Sequence, residues 1–426
     1  MSIIIDKPKL AVIGIGYVGL PLALSLSNFF SVKAYDLNKD RISDLKKNFD
    51  ITNEFSSLEI RKAKFINFTC NKEDLSDVSI FFITVPTPIN KKNKPDLGNL
   101  IQATKTVAKY LKNNSIVVYE STVFPGCTEE VCLPILEKIS KLKVNRDFYL
   151  AYSPERINPG KSKYKLKNTI KVIGSSNKYS LKIINKIYKK ICIKTHLTES
   201  IKIAEAAKII ENTQRDLNIA LINELSIIFK KMNIDINKVL NAASTKWNFI
   251  KFQPGLVGGH CIGVDPYYLT YKSKKLKYKP KVILSGRKIN DSMGFYVAKN
   301  LISALKKKGK KITKCKILVL GAAFKENCSD IRNSRIFDTI DFLNKKKADV
   351  YVYDPLIPIK FLKKKVKNVL SNLDQKNFYD VVLISVAHDE FLKLGIKKVK
   401  ALIKKKTGLI FDLKSIFPKK ETHWQL

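Results

Sequence analysis

Arginine is scarce in this chain of 426 residues: eight, against 71 lysines. With 37 acidic residues the formal net charge is +42, a value that raises nucleic-acid binding as a function. Arginine is the side chain that reads phosphates and bases in bidentate fashion, and its scarcity argues against that class. The lysines stand in short dispersed clusters such as 306–308 and 363–365, not in one basic arm. The excess therefore reads as compositional bias laid over an ordinary enzyme, although it would still draw anionic substrates. Long apolar runs are also missing. No stretch approaches the ~20 uncharged residues of a membrane span, and the opening Met-Ser-Ile-Ile-Ile-Asp-Lys-Pro has no signal-peptide pattern, which predicts a cytoplasmic protein. The seven cysteines (70, 127, 132, 192, 261, 315, 328) are odd in number and form no CxxC pair. Neither a disulfide framework nor a metal site is expected.

What is present is an alternation of apolar strands and helical stretches. Residues 9–13, 32–36, 80–85, 116–119, 149–152 and 171–173 read as strands, with helical patterns such as 97–111 between them. That order argues a parallel, doubly wound sheet. From Thr198, a candidate helix cap, to Met232 there is neither Gly nor Pro, so one long helix is expected, with more helix through Asn241. Near Lys314 the strand pattern restarts, and Gly321-Ala322-Ala323-Phe324-Lys325 echoes the first glycine turn without its three-glycine spacing. The reading is an α/β protein with two Rossmann-like parallel-sheet domains joined by a long central helix and helical domain. Its divisions are expected at 1–197, 198–305 and 306–426, and the helix is a natural homodimer surface.

Gly14-Ile15-Gly16-Tyr17-Val18-Gly19 follows a strand and opens a helix, and Asp36 ends the next strand about twenty residues on. The glycines permit a tight turn and close approach of pyrophosphate to a helix N-terminus, while the carboxylate suits ribose hydroxyls and repels a 2′-phosphate. NAD is favoured over NADP, although a flavin would use the same fingerprint. Pro86 and Thr87 follow one strand and Thr122 another, at the carboxyl edge where ligands sit; each is equally a turn former. Glu155 and Arg156 follow a further strand, Glu155 being either a general base or a surface charge. Lys208 and Asn212 share one helix face and can hold an oxyanion, or be a snorkelling lysine and an exposed amide. Cys261 lies in Gly258-Gly259-His260-Cys261-Ile262-Gly263-Val264-Asp265-Pro266. A thiol among glycines, which let backbone approach a bulky ligand, is a candidate nucleophile.

Together these motifs resemble the UDP-glucose/GDP-mannose dehydrogenase family over essentially the whole length. The run from Pro254 to Leu269 is similar to the branch that oxidises UDP-N-acetylhexosamines for bacterial surface polysaccharides. The resemblance implies a twofold oxidation of a primary alcohol to a carboxylate with two NAD+. Cys261 would trap the aldehyde as a thiohemiacetal, and the resulting thioester would be cleaved by water. It implies Lys208 and Asn212 as the oxyanion pair and Asp265 as the carboxylate that positions lysine and water. Glu155 becomes the acid/base, with Thr122 ordering a water. Arg41, Arg332 and the first glycine turn would contact the cofactor. Lys325, Arg156, Arg287 and the loop from Lys251 through Phe252, Gly255 and Gly258 would contact the UDP-sugar. UDP-glucose or UDP-N-acetylmannosamine oxidation, a one-step dehydrogenase of the 6-phosphogluconate type, and a basic non-catalytic NAD-binding protein are the alternatives. The orientation of the acetamido group (gluco or galacto) stays open.

Overall fold

In the computed structural model, residues 8–52, 54–90, 92–156, 166–259 and 262–426 are described. The chain divides into two compact units: 1–211 with 267–279, and 212–266 with 280–426.

The first unit holds eight strands: β1 (Leu10–Ile13), β2 (Val32–Tyr35), β3 (Ile66–Thr69), β4 (Ile80–Ile83), β5 (Ile116–Tyr119), β6 (Tyr149–Tyr152), β7 (Ile170–Ser175) and β8 (Lys194–Leu197). Their order is β3-β2-β1-β4-β5-β6-β7-β8. Strands β1, β4 and β5 are buried at every position (LAVI, IFFI, IVVY), the mark of a sheet covered on both faces. The reversal of direction between β1–β2 and β1–β4 places a crevice at the carboxyl ends of β1 and β4. Against a uniformly parallel reading, β7 pairs with β6 antiparallel. Parallel neighbours need a crossover of a dozen or more residues, usually a helix. The described residues between these two strands contain only the short 3₁₀ turn Leu166–Asn168.

The second unit holds β9 (Lys316–Leu320), β10 (Asp349–Tyr353), β11 (Asn368–Val369), β12 (Val381–Ile384), β13 (Leu409–Asp412) and β14 (Trp424–Gln425), ordered β11-β10-β9-β12-β13-β14 and parallel throughout. Two apolar clusters cover its faces. One is built on Ile317, Val319, Val350 and Leu383, the other on Leu318, Leu320, Val382 and Ile384, alternate residues of the same strands as a two-residue period requires.

The long helix spans Ile201–Lys231. Ser200, not Thr198, supplies its start: the Ser200 hydroxyl accepts the Ile203 N–H, while the Thr198 hydroxyl donates to the Ile173 and Ser200 carbonyls. More helix follows through Asn241, as expected, after a break. Asn233 takes a left-handed turn (φ 58°), and a separate helix, Ile236–Ala243, starts behind Asp235, whose carboxylate accepts the Asn237 N–H. Two further helices, Asp265–Lys275 and Lys281–Lys307, complete the middle of the chain.

Candidate active site

The three N-terminal glycines do three different jobs. Gly14 adopts φ +94°, and Gly19 lies so close to the Gly14 carbonyl that a Cβ there would sit 1.9 Å from the oxygen. Gly16 has nothing within 4 Å of the place a Cβ would occupy. A turn closed by Gly14 and Gly19 with open space over Gly16 fits a pyrophosphate laid against backbone N–H groups at the start of helix Gly19–Leu26. Tyr17 and Val18 occupy the same half-exposed turn. Asp36 accepts the Ile15 N–H at 2.7 Å through one oxygen and the Asn38 N–H at 2.9 Å through the other, so its carboxylate is fixed at the end of β2. Arg41 braces the turn from below: its Nε donates to the Ile15 carbonyl at 3.0 Å and its Nη1 to the buried Asp50 at 2.7 Å.

At the ends of β4 and β5 the loops are stitched together. Thr87 donates to the Thr122 carbonyl at 2.6 Å, Ser121 to the Val85 carbonyl at 2.7 Å, and the Tyr268 hydroxyl to the Thr87 carbonyl at 2.7 Å; Pro86 is exposed. Below Thr122, the Glu205 carboxylate accepts the N–H groups of Gly126 (2.5 Å) and Thr128 (2.9 Å). Burial pushes Glu205 up to about 7, against the pull of those bonds.

Glu155, at the edge of β6, is almost fully buried, and Lys171 on β7 places its ammonium 3.9 Å from the carboxylate. Arg156 donates to the Ile170 carbonyl at 3.0 Å and pairs with Glu211. Lys208 is 7% exposed, one turn before Asn212 on the long helix. Asn212 Nδ2 donates to Asp265 Oδ2 at 2.5 Å, and Asp265 is itself buried at the start of helix Asp265–Lys275. His260 and Cys261 lie outside the described residues.

The approach to Cys261 is held by the second unit. Asn223 brackets Gly255 as a peptide neighbour would, accepting its N–H at 2.8 Å and donating to its carbonyl at 3.0 Å. Asn223 also donates to Asn290, which donates to Asp216. Arg287, 1% exposed, joins the same network by pairing with Asp216 at 2.6 Å and with Asp291. A Cβ on Gly263 would come within 3.8 Å of its guanidinium, so Arg287 lies buried against Gly263. Lys251 is exposed and donates to Asn241 at 2.7 Å, while half-buried Phe252 packs on Ile222, Ile236 and Leu240. Gly258 and Gly259 admit no side chain. A Cβ would lie 2.6 Å from the Asn333 carbonyl at the first and 2.7 Å from the Phe324 ring at the second.

That ring belongs to the loop after β9, which carries Lys325 and Arg332. Its turn resembles the first one, with Gly321 at φ +95°, but here Asp354 is buried and one oxygen takes the N–H groups of both Ala322 and Ala323 (2.7 and 3.0 Å). Those N–H groups are therefore spent on the protein itself. His388 accepts the Asn327 N–H at 2.9 Å through Nδ1 and faces Asp354 through Nε2 at 3.4 Å. Arg332 forks onto Asp330. Among the described residues no cluster of His, Cys, Asp and Glu could hold a metal ion.

Residue patterns alone did not point to Lys171, Glu205, Tyr268, Asn223 or Asn290 as supports of this site. The signal for Lys171 was a lysine inside the apolar strand Ile170–Ser175; the others carry none, since their partners lie far away in sequence.

Two doubly wound sheets, one with an open glycine turn and one with that turn closed by its own aspartate, define an α/β dehydrogenase with a second, divergent Rossmann half. The chain belongs to the UDP-glucose/GDP-mannose dehydrogenase family: the family's NAD binding domain matches residues 8–192, its central domain 202–292 and its UDP binding domain 318–419. It is similar to the UDP-N-acetyl-D-glucosamine 6-dehydrogenases of Salmonella typhi, at 47% identity over 99% of both chains, and of Pseudomonas aeruginosa, at 44% over 98% and 99%. The UDP-D-ManNAc dehydrogenase structure from Pyrococcus horikoshii superposes with a TM-score of 0.87 at 29% identity, covering 98% of each chain. The protein is an NAD-dependent nucleotide-sugar dehydrogenase, an oxidoreductase.

Proposed function

We propose that the substrate is a UDP-N-acetylhexosamine, UDP-N-acetylglucosamine ahead of its galacto epimer, oxidised at its primary alcohol to the uronic acid for surface polysaccharide synthesis in the cytoplasm. The higher identity to the glucosamine enzymes than to the mannosamine one supports the gluco configuration. For the chemistry, the observation that carries the reading is the 2.5 Å bond from Asn212 to Asp265. It ties the long helix, one turn from Lys208, to the residue four positions beyond Cys261.

Gly14, Gly16 and Gly19 would hold the pyrophosphate of NAD+ and Asp36 its ribose, and when bound the cofactor would supply the hydride acceptor for both oxidations. In the first, the alcohol loses its proton to a base and becomes the aldehyde. The Cys261 thiol adds to that carbonyl, Lys208 and Asn212 stabilise the oxyanion, and the hemithioacetal is held while the cofactor is exchanged. The second hydride leaves a thioester. Glu155 takes a proton from a water ordered at Thr122, the water attacks, and carboxylate and thiol are released. Lys325 and the 251–259 loop bind the nucleotide-sugar, and Arg41 and Arg332 the cofactor.

Leu221, Ile228 and Met232 are 53%, 44% and 57% exposed. Their spacing of seven and four puts Leu221 and Ile228 on one stripe of the long helix with Met232 just past its end, and we read this stripe as a homodimer surface.

The test is an NADH assay of the purified protein against UDP-N-acetylglucosamine, UDP-N-acetylgalactosamine, UDP-N-acetylmannosamine, UDP-glucose and GDP-mannose. The highest kcat/KM is expected for the first, because a pocket built for the acetamido group leaves polar partners unpaired without it. A higher value for UDP-glucose or GDP-mannose would remove the acetamido assignment and leave the mechanism standing.

A further inference from the structure

A lysine buried in a strand is costly, since an ammonium taken out of water loses several kcal/mol of hydration unless its donors are all used. Lys171, 1% exposed in the middle of β7, has them used in a particular way. Its Nζ donates to Glu120 Oε2 at 2.5 Å, to the Pro154 carbonyl at 3.0 Å and to the Ser153 carbonyl at 3.4 Å. Glu120 follows β5, and Ser153 and Pro154 follow β6, so a single amine ties together the ends of adjacent strands. The Ser153 hydroxyl adds a bond to the Val172 carbonyl at 2.7 Å. The other oxygen of Glu120 accepts the Tyr188 hydroxyl.

One cation thus faces two carboxylates, Glu120 in contact and Glu155 at 3.9 Å. A purely structural ion pair needs one. The backbone that Lys171 grips is the two residues that lead directly into Glu155. Burial pushes Glu120 above its ordinary range, with the charge of Lys171 opposing and that of Glu155 adding to the rise. The two carboxylates are therefore electrostatically coupled through the space Lys171 occupies.

We propose that Lys171 is a positioning residue for Glu155, clamping the backbone before it and keeping a positive charge beside its carboxylate, with Glu120 as the counter-charge that limits this effect. The inference rests on the reading of Glu155 as the acid/base of the reaction. Lys171 touches neither sugar nor cofactor in this account; it acts through Glu155.

The test follows NADH formation from UDP-N-acetylglucosamine across pH with the full chain and four variants. Lys171→Met leaves two neighbouring carboxylates without their cation, and like charges disfavour ionisation. Its kcat is expected to fall about tenfold or more with KM within about twofold, and the acid limb of the kcat profile to move up by about one pH unit. Glu120→Gln leaves Lys171 to Glu155 alone, so the limb moves down. Lys171→Arg keeps the charge and restores most of kcat. Opposite movements in the first two variants support the proposal. An unmoved limb in both, with only the melting temperature lowered, overturns it and assigns Lys171 to the fold. If Lys171→Met fails to fold, Glu120→Gln decides by the same criterion. Glu155→Gln separates the two levels: full activity there overturns the role of Glu155 and this inference with it. A slow Glu155→Gln beside unmoved limbs overturns the inference alone.

Discussion

At the scale of single residues, the site combines groups whose chemistry follows from their type with groups whose role follows from burial. Cys261→Ser is expected to abolish carboxylate formation and leave NAD+ affinity nearly unchanged, because the thiol acts after the cofactor is bound; retained acid production, measured by product chromatography, would remove the thiol from the mechanism. Asp36 presents a carboxylate where NADP+ carries its 2′-phosphate, and like charges at contact distance repel strongly. The ratio of kcat/KM for NAD+ over NADP+ should be large and fall in Asp36→Asn. Glu205 gives a pH signature. Its carboxyl is raised from 4.5 to about 7 by burial, so between those values the folded state holds a proton that the unfolded state has lost. Stability therefore declines as pH rises through that window and levels off above it. The effect is on the order of 3 kcal/mol at most. Denaturation midpoints at about pH 5 and about pH 8 should differ less in Glu205→Gln than in the wild type; an equal difference would show that another group carries the slope.

At the scale of elements, the glycine turn after β1 separates folding from binding. Gly19→Ala puts a methyl 1.9 Å from the Gly14 carbonyl and 2.6 Å from the Thr84 hydroxyl, contacts that force backbone apart and cost about 1–3 kcal/mol. Gly16 has room, so Gly16→Val should keep its melting temperature while NAD+ binding, followed by calorimetry, weakens about tenfold or more as the side chain takes pyrophosphate space. The loop before Cys261 is the opposite case. Gly259, at φ +84° against the Phe324 ring, couples the chain before Cys261 to the loop bearing Lys325. Crowding at this point should therefore impair turnover while NAD+ binding, measured by calorimetry, is retained.

Across the whole molecule, alcohol-to-acid oxidation is a four-electron change, so two NADH per sugar are expected and one would point to a simple alcohol dehydrogenase. The apolar stripe of Leu221 and Ile228, with Met232 just past the helix end, should bury itself against a second copy. Leu221→Lys with Ile228→Lys is expected to lower the mass seen by light scattering by half, and an unchanged mass would place the interface elsewhere. Among the described residues no helix is long and apolar enough to cross a membrane. The net charge of +42 should make capture of the anionic substrate weaken as salt rises.

The sequence by itself determined what depends on neighbours along the chain. The dinucleotide turn, the strand–helix alternation, the long helix free of Gly and Pro, and the Cys261 motif are all local patterns of spacing. So is the echo of the first turn at Gly321, although a missing glycine spacing cannot show that Asp354 fills the turn from within. Only the tertiary structure decided the rest, because burial and long-range pairing are not written in any window of residues. Lys171 reads as one more lysine among 71 until β5, β6 and β7 close around its amine. The antiparallel pairing of β7 with β6 is a contact between strands, and the helix break at Asn233 rests on a left-handed residue that many sequences tolerate. The resemblance implies Arg287 as a nucleotide contact, and its burial is a matter of tertiary structure alone. Asp216, far from it in sequence, and Asp291, one helix turn away, pair with it in the interior, where an unpaired guanidinium could not remain.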